Sequence, residues 1–128
     1  MSKVNKLWRS APSREDLGGA RRYLSLLCSE TASKRLAQRL SRAPTFRVTA
    51  KDLLRASALP LLPRHESHVK EDLKRIAKGK PLSPVLLVQG NLSKGIPLVI
   101  ADGYHRICAV CHFDEDAPIA CRLTAWQS

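Results

Sequence analysis

The chain has 128 residues, of which 44% are hydrophobic, and a formal net charge of +11 from 22 Lys and Arg against 11 Asp and Glu. That length suits one compact domain and excludes two full ones. With only two each of Phe, Tyr and Trp, the core must be aliphatic. The positive balance favours phosphates, nucleic acid, acidic proteins or anionic membranes without choosing among them. It is unevenly spread: residues 1–42 carry 10 Lys/Arg and 3 acids (+7), residues 43–80 carry 9 and 4 (+5), and residues 81–128 carry 3 and 4 (−1). The longest apolar runs, at 85–88 and 98–101, are far shorter than the roughly 20 residues of a membrane helix, so no integral membrane protein is expected. The first residues are basic with no apolar segment behind them. The expected location is therefore cytoplasmic, with the four cysteines reduced.

In chain order, Ser13 with Asp16 three residues on predicts a capped helix over about 14–29, with Gly18 and Gly19 weakening its first turns. Thr31 is the expected cap of a second helix, in which Leu36, Ala37 and Leu40 share one face and Lys34, Arg35, Arg39 and Arg42 are left to solvent. Together these form a basic helical hairpin ending near Pro44, so the chain divides into a basic N-terminal extension, 1–43, and a body, 44–128. In the body, Thr45 to Val48 alternates as a strand, and Thr49 or Lys51-Asp52 opens a brief helix over 53–58 that Pro60 and Pro63 stop. His65 to Lys78 reads as a helix with Val69, Leu73, Ile76 and Ala77 on one face. Strands at 85–89 and 97–101, joined by a short turn-rich connection, are paired antiparallel. A helix over 104–112 and a strand over 118–123 complete an α/β (α+β) domain: a small mixed sheet with flanking helices.

The most informative run is Ile100-Ala101-Asp102-Gly103-Tyr104-His105-Arg106, where a strand turns sharply at glycine into a helix with His and Arg in its first turn. Free N–H groups at a helix N-terminus attract anions, and an Arg there adds a donor fork matched to phosphate. On spacing alone, the same corner reads first as a turn with exposed polar residues and no ligand.

This run, with the helix 69–76, Gly79, the strand Pro84-Val85-Leu86-Leu87-Val88, Ala109 and Pro118-Ile119, resembles the ParB/sulfiredoxin-like superfamily in order and spacing over residues 46–123. The resemblance implies that Gly103, His105 and Arg106 bind nucleotide phosphates, with ATP or CTP as the ligand and Mg2+ as a possible companion. It also implies that His68, Glu71 and Arg75 line the helix face bordering the nucleotide. Two departures narrow it. Tyr104 stands where sulfiredoxin-like enzymes carry their reactive cysteine, so that chemistry is not expected. Only five residues follow Leu123, too few for the DNA-binding and dimerisation segments of chromosome-partition proteins. The turn is also similar to the Asp-Gly-His-His-Arg turn of ParB-like kinases acting on free serine, with Tyr104 in place of the first His.

Two function classes stay open. In a small phosphotransferase or phosphohydrolase, Asp102 would bind a metal ion or act as base, with Glu71 or Glu66 approaching from the preceding helix. The alternative is a noncatalytic module in which nucleotide controls contact with nucleic acid or protein, the basic hairpin with Lys3, Lys6 and Arg9 supplying nonspecific phosphate contacts. Cys108-Ala109-Val110-Cys111-His112 matches a haem-attachment string, and Cys108, Cys111, His112 and Cys121 contain zinc-ligand types. Because this run lies in a helix, buried thiols are the expected reading, and no metal-ligand set is assigned.

Overall fold

The computed structural model describes residues 8–126. Lys3 and Lys6, counted above with the basic hairpin, lie outside the described residues. Among those described, five α-helices and a four-stranded mixed sheet form an α/β fold: α1 (Arg14–Leu24), α2 (Glu30–Arg42), β1 (Phe46–Thr49), α3 (Ala50–Ser57), α4 (Ser67–Ala77), β2 (Val85–Val88), β3 (Val99–Asp102), α5 (Tyr104–Phe113) and β4 (Pro118–Thr124). The strand order is β1-β4-β2-β3. β2 and β3 pair antiparallel, as expected, β1 pairs antiparallel with β4, and β4 lies parallel to β2.

The period-2 alternation of a strand explains how the fully apolar β2 serves two cores. Val85 and Leu87 face a cluster built with α3, α4 and α5, including Val69, Ile76, Ile107 and Ile119. Leu86 and Val88 face a second cluster with Ala20 and Leu24 of α1 and Leu36 and Leu40 of α2. The basic hairpin is thus one of three layers, and it covers a sheet face that would otherwise be wet. Leu24, Leu36 and Leu40 are buried, whereas Tyr23 and Leu27 are exposed.

The boundaries differ from the sequence reading in instructive places. α1 stops at Leu24 rather than running to 29, and the N-cap of α2 is Ser29, whose side chain accepts from the Ala32 N–H, so Thr31 lies inside the helix. Ser29 wins because it leaves Glu30 in the first turn, where a carboxylate favours the helix dipole. The Ser13–Asp16 capping box forms as expected. Ala77, placed on the apolar face of α4, is exposed. No helix among the described residues is long and apolar enough to cross a membrane.

Arg122 on β4 fastens the layers together. Its guanidinium is buried and donates to the carbonyls of Leu40, Ser41 and Ser10 and to the Thr45 hydroxyl, at 2.8–3.3 Å. Two of those acceptors lie at the C-terminal end of α2, where a cation complements the dipole. Nothing in the spacing of the sequence marks this residue.

Candidate functional site

The corner between β3 and α5 is built around Gly103. Its φ of 107° lies in the left-handed region, and a Cβ there would stand 2.5 Å from Val85 Cγ1 and 2.9 Å from an Arg106 nitrogen. Only glycine turns the chain from β3 into α5 while touching β2 this closely. Gly103 is the N-cap of α5, and no side chain caps the helix, so the first N–H groups of α5 stand without hydrogen-bond partners among the described residues.

Arg106, in the first turn of α5, points back under this corner. Its guanidinium lies 2.9 Å from Asp102 Oδ2, 3.4 Å from the Pro84 carbonyl and 4.0 Å from Asp16 Oδ1, and its side chain is only 16% exposed. Its Nε is buried without a hydrogen-bond partner among the described residues. Asp102 is enclosed from the other side by α1, where a Cβ on Gly19 would come within 3.3 Å of its carboxylate. Burial pushes Asp102 up, and the charge of Arg106 only partly offsets this. Burial acts in the same sense on Asp16, but hydrogen bonds from Ser13 and Ser83 and the Arg106 charge outweigh it, and its net shift is downward. The Asp102–Arg106 pair therefore joins β3, α5 and the start of α1.

On the outer side of the corner lie two histidines and a glutamate. Glu66 is the N-cap of α4, accepting from the His68 N–H at 2.9 Å and the Val69 N–H at 3.1 Å. The same carboxylate reaches His68 Nδ1 at 2.9 Å and His105 Nε2 at 3.7 Å. The two imidazole centroids are 4.6 Å apart. The His68 N–H bond, with further help from the His68 ring, the Val69 N–H and the neighbouring His105, pulls Glu66 down to about 2 against the effect of desolvation. Tyr104 closes the corner by donating to the Pro60 carbonyl at 2.5 Å.

The residues singled out from sequence thus divide. Gly103, His105, Arg106, Asp102 and His68 converge on one corner. Glu71 is exposed and makes no ion pair, with Arg75 or any other cation, among the described residues. Arg75 is also exposed, but its charge acts on Asp72, the acid that α4 does turn inward. Burial raises Asp72, against the opposing charges of Arg106, Arg75, His105 and His68. Sequence reasoning missed Asp72, although helical periodicity contained the signal. Position 72 lies between Val69 and Ile76 on the apolar stripe, and position 71 is rotated off it.

The thiols lie elsewhere. Cys108 and Cys121 are buried and Cys111 is half-buried. Burial raises all three, Cys121 to about 12, so none is an activated thiolate. His112 Nε2 is held against the Leu62 carbonyl at 2.6 Å.

Comparison with protein-family models, with curated proteins and with solved structures gives no match.

Proposed function

We propose that this chain is a phosphate-binding domain of the ParB/sulfiredoxin-like kind whose ligand is a nucleotide, ATP or CTP. The observation that carries the reading is the uncapped N-terminus of α5, where unpartnered N–H groups lie beside the half-exposed His105. Arg106 enters this reading as a positioning residue, because its guanidinium is already committed to Asp102 and Asp16. Asp102, ion-paired and covered by α1, is a poor general base, and Glu71 is exposed and makes no hydrogen bond to it among the described residues. The proposal is accordingly for binding, not phosphoryl transfer.

Mg2+ finds no dedicated site here. It demands near-octahedral oxygen ligands, and the carboxylates of the corner are ion-paired, isolated or grouped with imidazoles. Its place in the reading is as a counter-ion carried by the nucleotide, because Glu66, Asp72 and Asp102 repel a bare polyphosphate. Calorimetric and thermal-shift titration with ATP, ADP, CTP and GTP, with and without Mg2+, tests this. Tighter binding of the Mg2+ complex is expected, with a loss of about tenfold in His105→Ala, corresponding to one charge-assisted hydrogen bond. No shift with any nucleotide under either condition would end the reading.

A second reading draws on a separate observation, the outer face of α2. Lys34, Arg35 and Arg42 are exposed there, and no salt bridge among the described residues engages them. As a nucleic-acid surface this face would bind without sequence preference. The slope of log affinity against log salt would then shrink by about one unit for each phosphate contact removed by substitution.

A further inference from the structure

The donors on the outer side of the corner have a chemistry of their own. Among the described residues, Glu66, His68 and His105 form the one group of three His, Cys, Asp or Glu side chains whose ligand atoms all lie within 4.8 Å of one another. We infer that these three residues bind a divalent transition-metal ion, with Zn2+ the best match, leaving at least one coordination position open beside the first turn of α5. This inference shares His105 with the nucleotide reading but does not rest on it, since the ion would be held whether or not a phosphate binds, and His68→Ala tests the ion alone.

Four features carry it. Two imidazoles and one carboxylate form the donor set of open, three-ligand zinc sites, and imidazole nitrogen discriminates against Mg2+ and Ca2+. For ligand bonds of about 2.0–2.1 Å, a tetrahedral ion requires its ligand atoms to stand about 3.3 Å apart. The separations are 2.9 Å from Glu66 Oε1 to His68 Nδ1 and 3.7 Å from Glu66 Oε2 to His105 Nε2, and one ligand atom from each of the three residues lies within 4.8 Å of the other two, so side-chain rotation is what brings them to that spacing.

The third feature is support behind the ligands. The Glu66 carboxylate is fixed by two backbone N–H groups, an outer shell that keeps its remaining lone pairs aimed at the histidines. The fourth is access and field. His68 is 72% exposed, so an ion can enter directly from solvent, and the Asp72 carboxylate lies within electrostatic reach of both rings. A cation relieves the crowding of acids at this corner, where a bare anion would meet it.

The test uses the full chain, stripped with chelator and kept reduced with a phosphine that does not bind zinc. Equilibrium dialysis with Zn2+ is expected to give one ion per chain. His68→Ala and His105→Ala, both at exposed or half-exposed positions, should each lose more than the roughly 10–100-fold that outer-shell changes cost. In the unsubstituted chain, Zn2+ should shift the imidazole NMR signals of His68 and His105 and leave those of His65 and His112 in place, which covers the case of a variant that misfolds. Co2+ should give visible d–d bands without sulfur-to-metal charge transfer. No Zn2+ binding, binding untouched by both histidine substitutions, unmoved His68 and His105 signals, or a thiolate charge-transfer band would each overturn the inference. The last would assign the ion to Cys108 and Cys111 instead.

Discussion

Gly103 is held by two independent constraints, a left-handed backbone and contact with Val85. Gly103→Ala must accept the strained φ and also push Val85 or Arg106 aside, at a combined cost of roughly 2–5 kcal/mol. A urea titration should show the midpoint move down by a matching amount, and an unchanged midpoint would mean the corner is looser than the geometry here. Glu66 makes a different demand. It titrates near 4.5 when unfolded and at about 2 when folded. A lowered folded value means that the ionised carboxylate stabilises the fold above about 4.5 and loses that contribution as pH falls toward about 2. Asp72 and Asp102, raised by burial, act with the opposite sign. The comparison that isolates Glu66 is therefore the native chain against Glu66→Gln. The melting temperature of the native chain should fall more steeply across that interval, and parallel curves would show that the α4 cap is not the titrating feature.

Among the elements, what could be read from sequence was whatever depends on local chemistry. The Ser13–Asp16 box, the Thr49 cap, the apolar β2 run and the Asp-Gly break before α5 each rest on contacts within a few residues, and each is present. The candidate corner was legible for the same reason as far as Gly103, His105 and Arg106, which are consecutive or nearly so. Its other half was not, because Asp16 reaches Arg106 from a helix 90 positions earlier and Gly19 approaches Asp102 only through tertiary packing. On α4, Glu71 is exposed and Asp72, one residue or about 100° around the helix, is turned inward, a difference of phase that the packing of the helix fixes. Arg122 was invisible for a deeper reason: its acceptors are main-chain carbonyls, which every residue has.

At the scale of the molecule, the division into a basic extension and a body does not match the distribution of the core. Leu24, Leu36 and Leu40, at 2%, 1% and 0% exposure, lie against Leu86, Val88 and Ala101. Burying each leucine is worth about 1.5–3 kcal/mol, so losing three removes a large part of the 5–15 kcal/mol by which a domain is ordinarily stable. Deleting residues 1–42 is expected to leave 43–128 aggregated or without a cooperative melt in circular dichroism and size-exclusion chromatography. A sharp, monomeric transition in that fragment would show that the sheet tolerates an open face. Any assay of nucleic-acid binding should therefore substitute the basic side chains of α2 and keep the helix.

The strand order has a consequence in time. β4 follows the other three strands in sequence yet lies between β1 and β2 in the sheet. Until residues 118–124 leave the ribosome, β1 has no partner, the β2–β3 hairpin shows a bare edge, and the Arg122 anchor for α2 does not exist. The nascent chain can form helices and one hairpin early, but its central pairing is the last event rather than the first, and it joins residues as far apart as Phe46 and Cys121. For that interval the exposed edge of Val85–Val88, apolar on both faces, is a ready template for pairing with another chain, so rapid closure by β4 protects the protein during synthesis.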